Sequence, residues 1–152
     1  MRRCLLISLL ILTGCASEPP RPVSITAQPA PKAALLNYAL SLQGVPYSYG
    51  KADPQEGFDC SGFVQHVYAH AGINIPRTVK DMITRLPPVP KNHLQAGDLV
   101  FFNINGGVIS HVGIYLNNAK FIHAPSQRSG KVSISNLNSD YWQQRFAQIR
   151  RP

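Results

Sequence analysis

Residues 58–63 read Phe58-Asp59-Cys60-Ser61-Gly62-Phe63, and the reading of this stretch decides the fold. Asp59 is a good helix N-cap, because a short carboxylate accepts a backbone N–H that the first turn leaves unpaired. A helix CSGFVQHVYAHA then runs to Gly72, a residue suited to a left-handed stop. At about 100° per residue, Cys60, Phe63, Val64, Val67, Tyr68 and Ala71 fall on one face. Two readings of the thiol are open here. It is either a small buried residue or a nucleophile whose pKa the positive end of the helix lowers. Ser61 and Gly62 are poor helix formers, and their smallness would leave room for a ligand beside the sulfur.

Upstream, AALLNYALSLQ has helical periodicity and stops at Gly44, so the domain is expected to begin near Ala33 and run to residue 152. A short third helix after Pro76 carries Val79, Met82, Ile83 and Leu86. Beyond Pro90 the period changes to two. DLVFFNI, HVGIYL, KFIHA and KVSISNL read as strands, broken by Asn-Gly-Gly, Asn-Asn and Ser-Gly turn signals. A helix around Asp140 to Arg145 and a closing strand AQIRR complete the chain. Helices first and an antiparallel sheet afterwards make an α+β domain, with the N-terminal helices packed on the sheet.

The N-terminus reads MRRCLLISLLILTGC: a basic start, then an apolar run from Leu5 to Leu12 that is too short to span a bilayer. Leu12-Thr13-Gly14-Cys15 resembles the bacterial lipobox. That resemblance implies removal of a signal peptide, residues 1–14, and acylation of Cys15, palmitate included, with enough chains for a stable membrane anchor. Ala16 rather than Asp follows, so the outer membrane, facing the periplasm, is the expected location. Residues 15–32 carry Pro19, Pro20, Pro22, Pro29 and Pro31 and read as a tether.

With Cys4 removed in the signal and Cys15 acylated, Cys60 has no disulfide partner in an oxidising compartment. A disulfide scaffold is excluded. The net charge of +8 suits polyanionic surroundings, but the basic residues are scattered singly, which argues against nucleic acid.

A nucleophilic thiol needs a base, and the base needs an orienting group. His111 in SHVGIY and His123 in KFIHAP, on consecutive expected strands, supply both. His66 and His70, spaced i, i+4, lie off the Cys60 direction with no third ligand and read as a solvated flank, so no metal site is expected. Trp142 reads as a core anchor. Register matters, because side chains alternate along a strand and opposed residues share a face. A two-residue Asn117-Asn118 turn would set His123 against Val112 and split the histidines between faces. A three-residue connection, or a bulge, would oppose His123 to Gly113 and put both imidazoles on one face, expected to be the one that Cys60 approaches.

PYSYG, FDCSGFV, IPRT, GDLVFF, HVGIY and FIHA, in that order, resemble the NlpC/P60 family of papain-like cell-wall peptidases, and YWQQRF continues the likeness. The resemblance implies Cys60 as nucleophile, His111 as base and His123 as third member of a triad. It implies Tyr47 as an oxyanion-hole donor with the Cys60 backbone N–H, and a substrate cleft lined by Asp59, Ser61, Arg77 and Thr78. The implied activity is hydrolysis of peptidoglycan stem peptides, at γ-D-glutamate–meso-diaminopimelate or at the D-Ala–diaminopimelate crosslink. No metal or cofactor is required, and a monomer is expected. A non-catalytic peptidoglycan-binding lipoprotein and a thiol acyltransferase of related fold are the alternatives; the intact Cys60, His111, His123 and Tyr47 disfavour the first, and the cysteine preceding the histidines disfavours the second.

Overall fold

Asp59 caps the helix that organises the domain. Its backbone is extended and its side chain accepts from the Gly62 N–H at 2.6 Å. The computed structural model describes residues 31–126 and 130–152, so the expected signal peptide, Cys15 and most of the tether lie outside the described residues. In chain order the elements are helix α1 (Pro31–Ser41), strands β1 (Ala52–Asp53) and β2 (Gly57–Phe58), helices α2 (Cys60–His70) and α3 (Val79–Arg85), and strand β3 (Pro88–Val89). A single 3-10 turn, Lys91–His93, leads to β4 (Leu99–Phe102), β5 (His111–Asn117), β6 (Lys120–His123) and β7 (Ser133–Asn136). Helix α4 (Asp140–Gln143) and β8 (Phe146–Arg150) follow. Every pairing in the six-stranded sheet is antiparallel, in the order β3-β8-β4-β5-β6-β7. The expected α+β architecture is the one observed. The β1–β2 hairpin and β3 went unforeseen, being two-residue strands in loops without an alternating pattern.

The sheet is buried on both faces, which is why Leu99, Val100, Phe101 and Phe102 are all fully covered. Leu99, Phe101, Val112, Ile114 and Ile122 pack with Phe63, Val64 and Val67 of α2. Val100, Phe102 and Phe121 pack on the other face with Trp142 and Phe146. Each such fully buried side chain contributes about 1.5–3 kcal/mol relative to exposure.

Two expectations about α2 are corrected. Ala71, placed on the apolar stripe by angle, is exposed because the helix ends at His70 and turns away at Gly72, whose φ is +77°. Gly62 does not leave room for a ligand. A Cβ there would lie 2.2 Å from the Lys51 carbonyl oxygen, so the glycine admits the chain entering β1. Of the expected solvated flank, His70 is exposed and His66 half-buried, and both meet α1. His70 stacks on Tyr38 of α1 with ring centroids 3.5 Å apart, and His66 Nε2 hydrogen-bonds the Tyr38 hydroxyl at 2.8 Å.

Candidate active site

Cys60 is the first residue of α2, and its Sγ meets the edge of β5. The thiol points to the Ser110 carbonyl at 3.9 Å, and the N–H of Val112 also reaches the sulfur. These two backbone groups flank His111 in sequence, so the sulfur lies against the edge of the strand segment that carries that histidine. Cys60 and His111 both line one cleft of about 650 Å³, together with Tyr47, Asp59, Ser61, Arg77 and Thr78.

His111 and His123 project to one face, as the register argument requires. Ile114 pairs with Ile122 and Tyr115 with Phe121, which carries Gly113 to the place opposite His123. A bulge at Leu116 produces this register, followed by a tight turn at Asn118 and Ala119, both with positive φ. His111 Nε2 and His123 Nδ1 are then 2.7 Å apart, and both rings are buried. The expected face is corrected, however. His111 opposes Phe102, so the histidines share the side of Phe102, Phe121 and Trp142, whereas α2 packs on the other side. Cys60 reaches them past the strand edge instead of across the helix-covered face.

Sequence reasoning missed one member of this array. Ser135 opposes Phe121 in the β6–β7 ladder and therefore also points to the histidine face. Its Oγ lies 2.8 Å from His123 Nε2. The only signal would have been the β6–β7 register, which the long connection between those strands hides.

Asp59, Ser61 and Arg77 form one hydrogen-bonded wall. Arg77 grips the Asp59 carboxylate with both terminal nitrogens, at 3.0 and 2.8 Å, and donates to Ser61 Oγ at 2.9 Å. Asp59 also accepts from the N–H groups of Gly50 and Gly62. Thr78 caps α3 and exchanges hydrogen bonds with Asp81. These four residues are gathered at the cleft, with much of their polar capacity already taken up inside the chain.

Residues 44–151 match the NlpC/P60 family. The chain belongs to this family. Murein DD-endopeptidase MepH of Escherichia coli K12 is 41% identical over 129 residues, covering 82% of this chain and 46% of that protein. The chain thus spans less than half the length of this curated relative. Probable endopeptidase NlpC of the same strain is 38% identical over 99% of both chains. An NLP/P60-family protein from Staphylococcus aureus Mu50, described as similar to lipoprotein, shares the fold with a TM-score of 0.72. Its identity is 34%, over 87% of this chain and 44% of that one. The NlpC/P60 resemblance and the papain-like α+β fold expected from it therefore hold.

At this NlpC/P60 site burial disfavours charge on the thiol and on both imidazoles. Burial pushes the Cys60 thiol up to about 11, helped by the Asp59 carboxylate, and outweighs the N–H groups of Val112, Ser61 and Cys60 itself. The expected lowering by the helix start is thus overridden. Burial also drives His111 down to about 3, and His123 well below its ordinary value, with His111 adding to the effect. Near neutral pH the thiol and imidazoles are neutral, so no standing ion pair is available. Burial opposes ionisation of Asp59 too, but the Arg77 hydrogen bond, the Gly62 N–H and the Arg77 charge hold it below the usual carboxylate range. Tyr47 is held above its ordinary value by burial and by the nearness of Cys60 and Asp59, which keeps its hydroxyl a donor. Among the described residues no His, Cys, Asp and Glu group has the makings of a metal site.

Proposed function

We propose that this chain is a lipid-anchored cysteine endopeptidase acting on peptidoglycan stem peptides. The observation that carries the proposal is Cys60 Sγ against the strand edge at His111, with His111 hydrogen-bonded to His123 in an open cleft. His111 Nε2 is engaged by His123, so Nδ1 is the nitrogen left to take the thiol proton. Because both groups rest neutral, the proton leaves Sγ as sulfur attacks the peptide carbonyl carbon. The resulting oxyanion would be held by the Cys60 backbone N–H and the Tyr47 hydroxyl. Collapse breaks the C–N bond, His111 returns its proton to the leaving amine, and a thioester remains on Cys60. Water deprotonated by His111 then hydrolyses the thioester and restores the thiol.

Asp59, Ser61, Arg77 and Thr78 shape the wall against which the stem peptide lies. MepH is named a DD-endopeptidase, which makes the D-Ala–diaminopimelate crosslink one candidate bond, and γ-D-glutamate–meso-diaminopimelate is the other. Incubating the purified chain with defined muropeptides and identifying products by mass spectrometry tests the proposal. New termini at either bond support it. Intact muropeptides, with a folded and reduced protein, would refute it.

Anchoring through acylated Cys15 in the outer membrane, facing the periplasm, completes the reading; its support is the LTGC sequence. Cys15→Ser should abolish palmitate labelling and leave an unprocessed precursor. Unchanged labelling of that variant would overturn this part.

A further inference from the structure

We infer that Ser135 is a positioning residue for the thiol–imidazole chemistry, the terminal acceptor of a line that runs from Cys60 through His111 and His123. The inference rests on the cysteine-peptidase reading of the site and adds to it a residue that neither the motifs nor the triad contain.

Three adjacent strands each contribute one polar group to the same sheet face: His111 from β5, His123 from β6 and Ser135 from β7. The separations are 2.7 Å between the imidazoles and 2.8 Å from His123 Nε2 to Ser135 Oγ. Both histidines are buried, whereas Ser135 is only half-buried, so its hydroxyl can pass its own hydrogen to water while its lone pairs face His123. Trp142 lies beside the rings, inclined 27° to His111 with centroids 5.6 Å apart and edge-on to His123 at 5.0 Å.

The charged state fixes the direction of every hydrogen bond. When the thiol proton arrives at His111 Nδ1, His111 carries hydrogens on both nitrogens and becomes a donor twice over. Its Nε2–H must then find an acceptor, and His123 Nδ1 serves only if the His123 hydrogen sits on Nε2. That hydrogen in turn needs an acceptor in a buried setting, and Ser135 Oγ supplies it. No carboxylate hydrogen-bonds either ring among the described residues. The positive charge is therefore stabilised by neutral acceptors alone, with the Trp142 face beside it. Removing the hydroxyl leaves His123 Nε2–H without its partner and makes the imidazole pair a poorer base, while the thiol's direct loss of a proton to water is untouched.

The test is the rate of alkylation of Cys60 by iodoacetamide across pH in the full chain, followed by mass spectrometry of the Cys60 peptide. It needs no substrate, so a failure to cleave muropeptides would leave it readable. At neutral pH the thiol proton passes to His111 as the sulfur attacks the reagent, giving a pH-independent plateau. At alkaline pH direct ionisation takes over. Ser135→Ala and Ser135→Val should lower the neutral plateau about tenfold, one pKa unit of basicity, and leave the alkaline limb in place. Ser135→Thr, which keeps the hydroxyl in the shape of Val, should retain both. The Thr and Val variants carry the comparison by themselves should Ala perturb the strand. A plateau unchanged in Ala and Val, an alkaline limb that falls with the plateau, or a loss shared by Thr would each overturn the inference.

Discussion

His111 Nε2 and His123 Nδ1 lie 2.7 Å apart although the two residues are diagonal neighbours across the β5–β6 ladder and not partners. The place opposite His123 belongs to Gly113, and the missing side chain there is what lets the imidazoles meet. A Cβ on Gly113 would come within 2.7 Å of the Phe121 ring, 3.0 Å of the Ile122 carbonyl oxygen and 3.1 Å of His123 Cβ.

Gly113→Ala should accordingly push β6 away from β5. Overpacking of this kind costs about 1–3 kcal/mol, and the hydrogen bond between the imidazoles should lengthen with it. Thermal unfolding should show the stability loss, and muropeptide hydrolysis should fall more than the unfolded fraction explains. Full activity with unchanged stability would contradict the packing described.

The Leu116 bulge fits the tight turn to this register, and it can be removed separately. Deleting Leu116 should remove the bulge while Asn117 stays opposite Lys120 and Tyr115 opposite Phe121, so His123 stays opposite Gly113 and hydrolysis should survive. Ala119→Gly is the contrasting change. Ala119 holds a φ of +59°, a region that costs an L-residue about 1–2 kcal/mol, so glycine there should raise stability even after its greater unfolded-state freedom. Denaturant titration checks the sign.

Burial of neutral histidines makes folding sensitive to acid. Above about pH 6.5, the ordinary imidazole value, folded and unfolded chains are both neutral at these rings and stability is full. Below it the unfolded state takes up protons that His111, held down to about 3, refuses. Stability should fall by about 1 kcal/mol per pH unit for each such imidazole as pH drops from there. Replacing His111 by Gln should flatten this slope, which urea denaturation between pH 7 and pH 4 would measure.

Asp59, paired with Arg77, titrates in a different window. Arg77 is about a third exposed, whereas Asp59 is largely covered, so Arg77→Met strands a carboxylate more than it loses a cation. A cost of about 1–3 kcal/mol is expected at neutral pH. The Asp59 carboxyl is held below its usual range, so its stabilising contribution is present above that range and lost as pH falls through the folded value. The gap between wild type and Arg77→Met should therefore narrow in acid. A gap that is constant with pH would assign Arg77 a packing role alone.

Elements carried by strong periodicity were legible in the sequence. The Asp59 cap, the α2 stripe and the strands β4 to β8 all follow from spacing, and the register of β5 against β6 followed from requiring two histidines on one face. What escaped has a physical reason in each case. The β1–β2 hairpin is too short to alternate, and nothing in its sequence discloses that it runs against Gly62 of α2. The thiol's raised pKa is a consequence of burial, which a helix position alone does not disclose. Ser135 depends on a register set beyond a long connection, and the face taken by the histidines depends on how Cys60 passes the strand edge.

The central claim is that Cys60 is the atom that attacks the peptide bond, and the most direct measurement is the turnover of Cys60→Ala on a muropeptide that the wild-type chain cleaves. Cys60 packs at the margin of the core, so circular dichroism and thermal unfolding should show the variant folded. Turnover should fall by at least about 10⁴-fold, as for removal of a nucleophile in other triads. Hydrolysis by the folded Ala variant at a rate near that of the wild type would contradict that claim.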